Sequence, residues 1–128
     1  MKAISIEKCE QSHWADILKI RNLARDFFLN NSLIDSATHE KFMQKHSANY
    51  VVAVIDRSQL SAIKDQVVGF CGVVEDDIRV AVHPLYQKLS IGKRLLENIN
   101  SSFPNATAKI DINNTASVAL FESCGFIK

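Results

Sequence analysis

The stretch Val80-Ala-Val-His-Pro-Leu-Tyr-Gln-Lys-Leu-Ser-Ile-Gly-Lys-Arg-Leu-Leu96 decides how the rest of the chain is read. It opens as a short apolar strand and turns at Pro84. A loop follows, and then Ile91, Leu95, Leu96 and Ile99 fall at helical spacing. A strand that feeds through a small loop into a helix N-terminus is a device for holding an anion. The first backbone N–H groups of a helix have no internal partner, and the macrodipole adds positive character there. Gln87, Lys88, Leu89, Ser90, Ile91, Gly92 and Lys93 would supply those donors, while Lys88, Lys93 and Arg94 would add charge. The stretch predicts a site for a phosphate-bearing ligand.

The 128 residues suit a single domain spanning 1–128 around one core. Hydrophobic residues make up 47% and charged residues 23%, a balance that excludes a disordered chain. With 15 Lys and Arg against 14 Asp and Glu, the net charge of +1 favours neither nucleic acid nor a membrane surface as a general partner. On that neutral background, the basic cluster at 88–94 favours a small anion over a polymer. Cys9, Cys71 and Cys124 form no C-x-x-C pair and have no metal-ligand spacing. Free thiols in a reducing cytoplasm are therefore expected, with no metal. No apolar run reaches membrane-spanning length.

Outward from the decisive stretch, the hydrophobic pattern gives the order β-α-α-β-β-β-α-β-α. Lys2–Glu7 alternates as a first strand. Ser12 is the expected N-cap of a helix carrying Trp14, Ile17, Leu18, Ala24, Phe27 and Phe28. Arg21 and Arg25 interrupt that apolar face, and either snorkel to solvent or look into a substrate groove. Asn30-Asn31-Ser32 ends the helix. A second helix with a thin apolar side runs from Ser36 to His46, with His39 and His46 expected at the surface. Tyr50–Ile55 and Gln66–Val74 are strands separated by a polar connection from Arg57 to Asp65. Within the second, Gly69 and Gly72 mark a bulge or a close backbone approach. Glu75-Asp76-Asp77 is an acidic turn into Ile78–Val82, giving an antiparallel hairpin. The helix of the opening stretch stops by Pro104. Thr107–Ile112 then reads as a strand, Asn113-Asn114 as a cap, and Ala116–Ser123 as a short helix ended by Gly125. The result is an α/β fold: a mixed, mostly antiparallel central sheet with helices on both faces.

These residues resemble the GNAT superfamily of acyl-CoA-dependent N-acyltransferases. The family signature is a strand ending in V-x-P, then Q/R-x-x-G-x-G/A opening a helix. Here it is matched by Val82-His83-Pro84 and Gln87-Lys88-Leu89-Ser90-Ile91-Gly92. Downstream, Asn114 and Ala119-Leu120-Phe121-Glu122-Ser123-Cys124-Gly125-Phe126 match the family's Asn, helix and Tyr-x-x-x-Gly-Phe ending. Singly these patterns are weak; at this separation they reinforce one another. The resemblance implies acetyl-CoA as co-substrate, its pyrophosphate on the loop amides. Its pantetheine would lie in a wedge between Val80, Ala81 and Val82 and the parallel strand at Lys109–Ile112. Asn114 and Phe121 would complete the cofactor side. An amine of a small molecule or protein then attacks the thioester directly, in a ternary complex.

Two residues depart from the family pattern. Ser90 replaces a glycine, so a positive φ there costs ~1 kcal/mol or somewhat more unless its hydroxyl compensates as a cap or phosphate donor. Phe121 replaces the usual tyrosine and cannot donate a proton, which leaves the donor to the leaving thiolate unassigned. A base, if one is needed, would come through water from Glu75, Asp76 or Asp77 near the start of the central strand, although three consecutive acids also suit a solvated turn. His83 reads as a structural histidine beside Pro84, Cys124 as a small packed residue, and Asn114 equally as helix cap or ligand contact.

Family members usually continue past Gly-Phe into two more strands, which this sequence lacks. Either a partner subunit, as in a homodimer, is expected to cover the last strand's edge, or the acceptor site is expected to be unusually open. The competing functional reading is a non-catalytic acyl-CoA-binding or regulatory module. A Rossmann-type nucleotide binder fits less well, because the loop follows an antiparallel hairpin and no acidic ribose partner stands downstream.

Overall fold

In a computed structural model, residues 4–24, 32–55, 66–86, 90–109 and 114–126 are described. They form four strands and four helices: β1 (Ile4–Lys8), α1 (Trp14–Leu23), α2 (Ser36–His46), β2 (Tyr50–Ile55), β3 (Gln66–Val74), β4 (Asp77–Val82), α3 (Ile91–Ser102) and α4 (Thr115–Ser123). The strands pair antiparallel in the order β1-β2-β3-β4. Phe27, Phe28, Arg25, the Arg57–Asp65 connection and the expected strand residues Ile110–Ile112 lie outside the described residues.

Helices cover both faces of the sheet. On one face α3 buries Ile91, Leu95, Leu96 and Ile99 to 2% exposure or less, against Ala53, Val68, Cys71 and Ile78. Those four side chains contribute on the order of 6–12 kcal/mol of gross burial energy. On the other face α1 and α2 bring Ile17, Ile20 and Met43 onto Tyr50, Val52, Phe70 and Ala81. Period-two alternation along β4 therefore sends Ile78, Val80 and Val82 towards α3, and Asp77, Arg79 and Ala81 towards α1 and α2.

Several local expectations need correction. Ser12 is not the N-cap of α1. It sits inside a 3-10 turn, Gln11–His13, in which the Glu10 N–H donates to His13 Nδ1 at 3.0 Å. The acidic hairpin turn has two residues, not three. Glu75 (φ 52°) and Asp76 (φ 65°) are both left-handed, as a two-residue I′ connection requires, and Asp77 already belongs to β4. His39 is buried, not at the surface, with its Nε2 2.8 Å from the Trp14 carbonyl oxygen. The expected strand at 107–112 is represented among the described residues by one parallel bridge, Asp77 to Thr107.

The two strand glycines do separate jobs. Gly69 lies opposite the register shift between Ala53 and Val54 and lets Leu95 and Ile91 of α3 approach the sheet. Gly72 lies under the ring of Tyr50, where no side chain would fit. At the C-terminus, Phe126 N–H donates to Phe121 O and Gly125 N–H to Glu122 O, a Schellman closure with Gly125 at φ 91°. The accompanying apolar contact is Phe121 edge-on to Phe126, with ring centroids 5.0 Å apart.

Candidate active site

β4 carries two different edges of main chain. His83 N–H donates to Val68 O at 2.8 Å, which fixes Asp77, Arg79 and Ala81 as the residues whose main chain faces β3. Ile78, Val80 and Val82 turn theirs outward. Ile78 N–H is taken by Thr107 O at 2.7 Å, and Thr107 N–H donates to Asp76 O at 2.8 Å. Beyond that single bridge Ala108 and Lys109 no longer pair with β4. The N–H and C=O of Val80 have no partner among the described residues.

α3 begins close to the end of β4, its Gly92 lying against Val82. Its hydrogen-bond ladder opens with Arg94 N–H to Ser90 O at 3.2 Å. The N–H groups of Ile91, Gly92 and Lys93 precede the ladder and have no acceptor within it. Ser90 adopts φ 59°, ψ 20°, the left-handed conformation that a glycine takes without strain, and its hydroxyl makes no capping bond. Gly92 is buried, and a Cβ there would lie 3.0 Å from Leu120 Cδ2, so it also sets the approach of α4 to α3. Lys93 is exposed at this end, whereas Arg94 donates to Ile4 O of β1 at 3.0 Å and does not add to the loop. Gln87, Lys88 and Leu89 lie outside the described residues.

The downstream motif is built differently from its appearance in sequence. Asn114 Oδ1 accepts from Ser117 N–H at 3.2 Å, capping α4. Its Nδ2 is buried without an acceptor among the described residues. A single side chain can thus serve as cap and as an oriented donor. Phe121 is buried at 5% exposure, in the core and against Phe126. Cys124 packs half-buried against that same core, and His83 Nδ1 accepts from Leu85 N–H at 3.1 Å, both structural placements.

The carboxylates separate clearly. Glu75 is exposed at the tip of the turn. Asp77 is half-buried on the α1/α2 face, its Oδ2 3.7 Å from Arg79 Nε and its Oδ1 buried with no hydrogen-bond donor. Arg79 lies with its guanidinium carbon 5.5 Å from the centroid of Phe42. Phe42 in turn meets Tyr50 edge-on at 6.3 Å, and Tyr50 stacks on Phe70 at 6.0 Å. Burial pushes the Tyr50 phenol well above its usual range, with the charge of Arg79 opposing it. Burial also lowers Arg21 on α1, and the nearby Arg79 lowers it further. This cluster joins residues 21, 42, 50, 77 and 79, and sequence reasoning did not assemble it. The register Tyr50–Gly72–Arg79 places two of its members in one row across the sheet.

The outward main-chain edge at Val80 and the N-terminus of α3, whose Gly92 lies against Val82, are thus brought together. The family model of the acetyltransferase (GNAT) domain matches residues 46–128, and the chain belongs to that family. Among solved structures, the fold is similar to a ribosomal-protein-alanine N-acetyltransferase from Brucella melitensis, at 22% identity and a TM-score of 0.77, covering 96% of this chain and 84% of that one. It is also similar to yncA, a putative acetyltransferase from Salmonella typhimurium solved with acetyl-CoA, at 20% identity and a TM-score of 0.77, covering 98% and 80%. A phosphinothricin acetyltransferase from Sinorhizobium meliloti, solved with acetyl-CoA, matches at 16% identity and a TM-score of 0.75, covering 97% and 75%. No curated protein matches the chain. Among the described residues, no helix is long and apolar enough to cross a membrane.

Proposed function

We propose that this protein is an N-acetyltransferase that moves the acetyl group of acetyl-CoA to a primary amine by direct attack in a ternary complex. The observation that carries the reading is the main chain of Val80, without a partner among the described residues, together with the uncapped amides of Ile91, Gly92 and Lys93. The strand edge would pair with an amide-bearing chain such as pantetheine. The helix amides and Lys93 suit a pyrophosphate. Asn114 Nδ2, held by its cap, is a further donor to the same ligand. Val82 shares the outward edge, whereas Ala81 contributes its small side chain on the acceptor face.

Asp77 is the base we assign, in preference to Glu75. Its side chain is 28% exposed on the α1/α2 side of β4, whereas Glu75 faces bulk water. An acceptor amine is protonated at neutral pH and must lose a proton before attack, which Asp77 would accept directly or through one water. The absent tyrosine leaves protonation of the departing thiolate to water, and a thiolate is a weak enough base to leave before it is protonated. Phe121 instead staples the end of α4.

The test is release of free thiol from acetyl-CoA with a panel of amines, comparing the wild type with Asp77→Asn. The expected result is amine-dependent release that falls about a hundredfold in the variant with unchanged acetyl-CoA binding. Acetyl-CoA binding without thiol release from any amine would instead favour the non-catalytic module.

A further inference from the structure

We propose that the α1/α2 face of β4 takes an acceptor whose amine is accompanied, a few bonds away, by an anionic group, a carboxylate or a phosphate, bound by Arg79 with Arg21 beside it. The proposal rests on the acetyl-transfer reading above and names the substrate class of that site.

The sheet register sets up the pocket. Tyr50, Gly72 and Arg79 form one row across β2, β3 and β4, with their side-chain positions on the same face. Because Gly72 has no side chain, the ring of Tyr50 lies across its backbone. The space above β4 is then bounded by Tyr50, by Phe42 from α2, and by α1. Arg79 stands in that space with its side chain 41% exposed, so a solute can reach it.

Arg79 and Arg21 are close enough for one to disfavour the charge of the other, and Asp77 is a carboxylate beside Arg79. Asp77 meets Arg79 only through Nε, at a loose 3.7 Å. The two terminal amino groups of Arg79 have no acceptor among the described residues. A guanidinium fork held over an aromatic ring matches a carboxylate or phosphate bidentately. The Asp77 carboxylate, its side chain 28% exposed, suits the ammonium end of the same molecule. A donor for Asp77 and an acceptor for Arg79 must come from groups as close together as those two side chains. That describes an amine bearing its own nearby anion.

The experiment uses matched acceptors: L-alanine against L-alaninamide, L-phenylalanine against L-phenylalaninamide, and phosphoethanolamine against ethanolamine. The first two pairs test a carboxylate, and the third tests a phosphate. At least one anionic member is expected to exceed its uncharged partner in kcat/KM by about tenfold or more. Arg79→Gln is expected to raise the KM of that anionic member about tenfold more than that of its uncharged partner, with kcat for the anionic member within about threefold. A binding arm without acetyl-CoA follows the melting temperature with millimolar anionic member present. A rise in the wild type that Arg79→Gln abolishes supports the site. Uncharged amines acetylated as well as anionic ones, or a variant that harms both alike, overturns the proposal. So does the absence of any anion-dependent melting shift. Failure of acetyl-CoA itself to bind would overturn the acetyl-transfer reading, while the anion titration still decides the site.

Discussion

Replacing Gly72 by alanine should destabilise this protein, although glycine-to-alanine changes at ordinary negative φ usually stabilise by about 0.4–1 kcal/mol through the unfolded chain. A Cβ at position 72 would lie 2.5 Å from Tyr50 Cγ and closer still to Cδ1 and Cε1. The ring would have to retreat by about 1 Å or more to reach normal contact near 3.5–4.0 Å. It has nowhere to go: Tyr50 is 4% exposed, stacked on Phe70 at 6.0 Å and edge-on to Phe42 at 6.3 Å. Overpacking of about 1–3 kcal/mol, together with about 1 kcal/mol from disturbed aromatic pairs, gives a loss of about 2–4 kcal/mol. For a domain of this size that lowers Tm by roughly 8–15 °C. Urea unfolding of the single and double variants provides the assay. In a Tyr50→Ala background the same alanine should be close to neutral, leaving a coupling energy of about 2 kcal/mol. A Gly72→Ala protein within about 0.5 kcal/mol of wild type would refute the packing reasoning, as would an equal cost in both backgrounds.

Two further outcomes follow from particular residues. Ser90→Gly should raise stability by about 0.5–1 kcal/mol in urea unfolding, because the φ of 59° strains serine and not glycine; a loss of stability would show that the serine side chain is needed. For His39, burial lowers its pKa and the Trp14 carbonyl bond opposes that more weakly, so the folded value lies below the usual 6.5. The unfolded chain therefore takes up the proton first. The His39 contribution is complete above pH 6.5 and is lost as pH falls below it. Tm measured between about pH 7 and about pH 5 should fall more steeply for the wild type than for His39→Gln, and parallel curves would contradict this.

Much of the fold was legible because its signals are local. Tyr50–Ile55, Gln66–Val74 and Ser36–His46 match the observed elements end to end, since β-branched runs and a helical period report directly on burial. The strand–loop–helix around Ser90 was legible for the same reason, including the positive φ that a glycine position demands. What failed locally was chemistry with more than one solution. Ser12 satisfies the N-cap rule, yet it lies inside a 3-10 turn that Glu10 and His13 close between them, and the α-helix starts only at Trp14. His39 looked like a surface residue because its partner, Trp14, lies on another helix. The acceptor-side cluster joins Arg21, Phe42, Tyr50, Asp77 and Arg79 only after two helices and two strands have docked. No spacing rule links those positions.

Amide hydrogen exchange on the full chain, with and without acetyl-CoA, measures the proposed cofactor cleft most directly. Saturating acetyl-CoA should protect the main-chain N–H of Val80 and those of Ile91, Gly92 and Lys93, while the amides of Arg79 and Ala81, already paired to β3, change little. A ligand at a hundred times its Kd would also add about 2.7 kcal/mol of apparent stability. Protection at Val80 and at the start of α3 is the predicted result. No protection at either place, or protection confined to another face of the sheet, would contradict it.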